Sequence, residues 1–169
     1  MEPASKPFRW AALTLIAVAG GLRLLYLAKF CPLDLAPDEA YYWDWSRHLD
    51  WSYHSKGPLV ALLIRLSCEI FGDTMFAVRV PAVVCGCLLL VGVYVLTVQV
   101  HHSEKLAFSV VALALTLPTV AAGSTLMTID APFTCAWVWA LVFGYHAVFG
   151  QARWAWLLTG VCLMLGILA

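Results

Sequence analysis

Two stretches of an otherwise apolar chain carry groups able to move protons. In Pro37-Asp38-Glu39-Ala40-Tyr41-Tyr42-Trp43, adjacent carboxylates follow a proline and open a short helix. Free N–H groups and the helix dipole favour negative charge there. A carboxylate so placed can take a proton from a hydroxyl as general base, or it can simply start an aromatic-rich surface helix; the spacing alone fits both. Asp130, between Thr128-Ile129 and Ala131-Pro132, stands at the junction of two long uncharged runs. A carboxylate near a bilayer is costly and marks a functional or water-filled site, unless it caps the helix that Pro132 enters. Lys56, in Ser52-Tyr53-His54-Ser55-Lys56-Gly57-Pro58, is a compact cation that can hold a phosphate or snorkel along the surface. Asp38 and Asp130 are the candidate catalytic residues, and Glu39, Lys56, Tyr42 and His54 the candidate substrate contacts. Arg79 is weighed beside Lys56, and Arg23, inside an apolar run, requires an internal partner or a water-filled cavity.

The elements that position these groups belong in lipid. Of 169 residues, 63% are hydrophobic and only 12% charged, against about a quarter charged in a soluble domain. Net charge is zero, which suggests no nucleic-acid partner. A helix crosses the hydrocarbon with roughly 20 apolar residues. Residues 10–30, 80–100, 106–129, 131–152 and 154–169 are the candidate spans. Pro58 to Phe71 is apolar but short, and Arg65 and Glu69 can pair on one face of it; it reads as a helix lying along the interface. The fold expected is therefore all-α and polytopic, with about five transmembrane helices and two external juxtamembrane helices. On that topology the 31–75 loop and Asp130 share one side, taken as external. Lys6, Arg9, Lys105 and Arg153 mark the cytoplasmic side. A transporter segment lined by Asp130 and Arg23 is the rival reading, though it leaves residues 38–56 unexplained.

His48, His54 and nearby acids could supply ligands to a divalent metal but match no recognised ligand spacing, so a metal stays an open alternative, and neither a metal nor a cofactor is assigned. The six cysteines, Cys85-x-Cys87 among them, read as small hydrophobes.

Four ordered segments carry a family likeness: Pro37 to Trp43, Ser52 to Leu59, Phe71 to Pro81 and Thr128 to Pro132. Together they resemble the dolichyl-phosphate-mannose protein mannosyltransferase-like superfamily, or GT-C fold, whose bacterial members include lipid A aminoarabinose transferases. The resemblance covers residues 10–160. It implies an enzyme of the plasma membrane with its active face outside the cytoplasm. Such an enzyme moves a sugar from a polyprenyl-phosphate carrier to a hydroxyl of an acceptor glycan, lipid or protein. It assigns Asp38 and Glu39 to the external Asp-Glu motif, with Asp38 at the acceptor, Asp130 to the external start of the fourth span, and Lys56 to the donor phosphate. Because relatives run to several hundred residues, residues 1–169 are expected to be the N-terminal transmembrane portion of the domain. A remnant that keeps the motifs without activity is the third reading.

Overall fold

The computed structural model describes residues 6–53 and 56–169. The helices are α1 (Lys6–Lys29), α2 (Pro37–Arg47), α3 (Leu59–Phe71), α4 (Met75–His101), α5 (Glu104–Thr116), α6 (Pro118–Gly123), α7 (Asp130–Phe149) and α8 (Arg153–Ile167). Among the described residues the only strand-like pairing is one bridge between Tyr53 and Lys56. The protein is an all-α polytopic membrane protein. Three helices are long and apolar enough to cross a bilayer: Pro7–Lys29, Met75–His101 and Asp130–Phe149. Their outward faces are apolar, as lipid requires: Leu22 on α1 and Trp137 and Leu141 on α7 are exposed. Trp10, Tyr26, Trp154 and Trp156, near the ends of apolar helices where aromatic side chains suit the membrane interface, are exposed as well.

Residues 106–129 depart from the single span expected. Pro118 has no N–H to give and pushes the residue before it out of the helical region. Leu117 accordingly sits at φ −75°, ψ 125° between α5 and the six-residue α6. Residues 124–129 then run without regular helix to α7. The last apolar segment, α8, has 15 residues, about 22 Å of helix, short of a full hydrocarbon crossing.

The bundle has a core at each end. At one end Ala12 and Ile16 of α1 pack with Leu90 and Tyr94 of α4 and Ala107 and Val111 of α5. At the other, Tyr42 of α2 and Val60 and Ile64 of α3 pack with Ala82 and Cys85 of α4, Met127, and Ala131 and Cys135 of α7. The 101–104 and 150–153 connections lie at the first end and α2 and α3 at the second.

The short helices lie across the ends of the long ones. α3 buries Val60, Ala61, Ile64 and Ser67, and the Ser67 hydroxyl donates to the Ala77 carbonyl of α4 at 2.6 Å. Its opposite face exposes Leu62, Leu66 and Ile70, the surface an interfacial helix offers to lipid. Arg65 and Glu69 pair at 2.7 Å as the spacing predicts, but both are about half exposed. Such pairs contribute little, so Arg65→Ala is expected to leave the thermal unfolding midpoint in detergent essentially unchanged. Between α3 and α4 the chain reverses at Gly72, whose φ of +80° suits glycine. The Thr74 hydroxyl then caps α4 by accepting the Ala77 N–H at 3.2 Å.

Candidate active site

Asp38 and Glu39 are neighbours with opposite surroundings. On α2 the core-facing positions are Glu39, Tyr42 and Ser46, one helical stripe, which leaves Asp38 exposed. Glu39 is wholly buried, and so is Arg79 of α4, 2% exposed. The guanidinium grips the carboxylate from two nitrogens: Nη2 donates to Oε2 at 2.7 Å, and Nε lies 3.0 and 3.2 Å from the two oxygens. The carboxylate also accepts the Ala36 N–H at 3.0 Å, half of a capping box, and the Met127 N–H at 2.9 Å. The remaining Arg79 donors reach the carbonyls of Leu33 at 3.1 Å and Asp34 at 2.8 Å, and Cys31 Sγ at 3.2 Å.

Both members of this pair are engaged within the protein. Glu39, read as a substrate contact, has both oxygens engaged inside the protein. Arg79, considered for a phosphate, is fully committed to Glu39 and the 31–34 loop. Burial alone would raise the Glu39 pKa, but the hydrogen bonds from Arg79, Ala36 and Met127 and the Arg79 charge outweigh it and hold the carboxyl below its ordinary range. The pair fixes three elements at once: α2, α4 and the irregular segment leading to Asp130.

Asp130 is the first residue of α7 and is exposed. It is not the helix cap that its position before Pro132 allowed, since Ile129 holds that place and no side chain caps the end. Thr128 Oγ1 lies 3.5 Å from its carboxylate. Tyr42 follows Asp38 by four residues on α2. Only 6% exposed, it packs in the core against α4 and α7. Its phenol pKa is raised by burial first, and then by the Asp38 and Asp130 charges. Tyr42 is thus mainly a core residue, and Asp38 on α2 and Asp130 at the start of α7 lie at the end of the bundle where it packs.

Lys56 is half-buried in the loop between α2 and α3. Its N–H donates to the Tyr53 carbonyl at 2.8 Å, and its carbonyl accepts the Tyr53 N–H at 3.0 Å. Tyr53 anchors this turn. Its ring stacks on Trp45 at 4.8 Å, and its hydroxyl accepts the Asp50 N–H at 2.6 Å while lying 3.0 Å from the His48 carbonyl. Just beyond, the Leu59 N–H donates to the Leu168 carbonyl at 2.9 Å, which ties the loop to the end of α8. His54 lies outside the described residues. Sequence reasoning missed Tyr53 as an anchor, and its position in an aromatic-rich loop was the only signal for it. Arg23 of α1 has a buried Nη1 without a hydrogen-bond partner. No group of three metal-ligating side chains occurs among the described residues.

An all-helical unit with exposed carboxylates at the end of its bundle defines a membrane-embedded protein with a polar site at the interface. The sequence profile of the dolichyl-phosphate-mannose-protein mannosyltransferase family matches residues 55–169, more than half of the chain, and the chain belongs to that family of glycosyltransferases. Lys56 and Asp130 fall inside the match; Asp38 and Glu39 precede it. The chain is also similar to the lipid A galacturonosyltransferase RgtD of Rhizobium johnstonii, with 39% identity over 59 residues. That match takes in 35% of this chain and 12% of the relative, so it spans only a small part of the relative's length. No solved structure matches the chain.

Proposed function

We propose that the chain forms the acceptor-side portion of a glycosyltransferase, which moves a sugar from a polyprenyl-phosphate carrier to a hydroxyl at the outer face of the plasma membrane. Family membership supports the reaction class. The observation that carries the site is the buried Glu39 carboxylate, which ties α2, with Asp38 exposed beside it, to Arg79 of α4 and to the Met127 N–H three residues before Asp130. In this reading Asp38 takes the proton of the acceptor hydroxyl. The oxygen forms a bond to the anomeric carbon while the carbon–oxygen bond to phosphate breaks, and the electron pair leaves with the polyprenyl phosphate. The leaving group is already a stable anion and needs no proton from the protein. Lys56 stabilises the charge that grows on it. Attack opposite the phosphate inverts the anomeric centre. Asp130 binds a second acceptor hydroxyl, and Glu39 acts by holding Asp38 and Asp130 in place. His54 and Tyr42 remain candidates for contact with the sugar.

The test is transfer of radiolabel from a polyprenyl-phosphate sugar in membranes that contain the protein. A charged hydrogen bond to the donor contributes about 1.5–3 kcal/mol. Lys56→Ala is therefore expected to raise the donor KM at least about tenfold. An unchanged KM would remove Lys56 from the phosphate, and no transfer by the wild type would defeat the enzyme reading.

A further inference from the structure

The break in the third apolar segment leaves a cavity that the proposed chemistry has not used. Non-helical backbone at membrane depth persists only where protein covers it or where it lines a cavity. Here α4, α6 and the start of α7 enclose about 520 Å³, within the range of small-molecule sites. The lining is mostly apolar, Gly86, Leu89 and Ala122 included, with a Ser124 hydroxyl beside Gly86 and oxygen atoms from Thr128, Asp130 and Thr134 around the start of α7. Gly86 lies eleven residues into α4, about 16 Å from its Met75 end, which is hydrocarbon depth. The wall is close-fitting there, because a Cβ on Gly86 would collide with the Ser124 side chain.

We propose that this cavity holds the hydrocarbon chain of the acceptor, a lipid whose headgroup presents hydroxyls to Asp130; the proposal rests on the transferase reading and names its acceptor class. Charge selects this occupant. No lysine or arginine lines the cavity, so a phosphate at the mouth would face an unrelieved carboxylate. A sugar hydroxyl donates to that carboxylate, and Thr128 and Thr134 add further polar contacts. Lys56, the phosphate-binding candidate, stands on the α2–α3 loop and not in this lining. Donor and acceptor chains thus approach the bundle by separate routes.

The test uses the full chain in nanodiscs with two photoactivatable lipids carrying the same diazirine acyl chains, a monogalactosyl diacylglycerol and a phosphatidic acid. Labelled peptides are mapped by mass spectrometry. The galactolipid is expected to label the Gly86–Leu89 and Ala122–Leu126 segments several-fold more than Leu157, which is exposed on α8, and the phosphatidic acid is not. Ala122→Phe, which fills the cavity, should abolish the excess. Should that variant not fold, excess unlabelled galactolipid should abolish it in the wild type. Equal labelling by both lipids, or a crosslink from α6 to another protein segment in place of lipid, overturns the proposal. Labelling requires no sugar transfer. Transfer without cavity labelling therefore refutes the cavity assignment alone, and labelling without transfer counts against the enzyme reading alone.

Discussion

Arg79→Met is expected to destabilise the protein by about 3–5 kcal/mol, the cost of leaving one partner of a buried ion pair alone. Methionine fills much of the space, but Glu39 is left wholly buried with only two backbone N–H groups to meet its charge. Thermal unfolding in detergent, followed by loss of the monodisperse peak on size exclusion, measures the effect. Its pH dependence separates this cause from a packing defect. In the wild type the Glu39 pKa is depressed, so the stability it contributes is complete above the ordinary carboxylate range and is lost as pH falls through the folded value. Without Arg79, burial, the largest influence on this carboxyl, acts with less opposition and raises its pKa. The variant should then regain stability on mild acidification, where the wild type gains nothing. A variant as stable as the wild type, or one indifferent to pH, would show that the pair does not hold these elements together.

Asp38→Asn is expected to lower transfer by about 10²–10⁴-fold, the usual contribution of a positioned general base. The amide keeps the shape of the side chain and loses the ability to accept a proton. Asp38 is exposed and, among the described residues, makes no side-chain hydrogen bond, so thermal stability should be unchanged. The loss should appear in kcat, with the donor KM near that of the wild type, because the carboxylate acts on the acceptor proton. The Lys56 variant should instead raise the donor KM and also lower kcat, because that cation meets both the bound phosphate and the charge that grows on it. Equal kcat in wild type and Asp38→Asn would eliminate this base.

The most legible features in the sequence were those set by local periodicity and length. The uncharged runs gave α4 and α7 close to their boundaries, and a fourteen-residue apolar segment was too short to span, which placed α3 at the interface. The Arg65–Glu69 pair followed from helical spacing. The third span was misjudged because apolarity was counted across Pro118, whose backbone effect outweighs composition. The roles of Glu39 and Arg79 were beyond local reasoning, since their contact joins residues 40 positions apart. Two adjacent acids look alike in sequence, and only the packing of α2 on α4 and α7 decides which one is buried. Tyr42 was no easier to place: among Tyr41, Tyr42, Trp43 and Trp45, the one buried in the core is identified only when the helix is docked.

Of the ties that Glu39 makes, two reach far along the sequence, 40 residues to Arg79 and 88 to Met127. A ribosome therefore makes the guanidinium well before the N–H that precedes Asp130, so the residue able to neutralise the carboxylate is synthesised first. A pause between Arg79 and Met127 should be harmless, whereas a stall before Arg79 leaves a bare charge at the membrane surface.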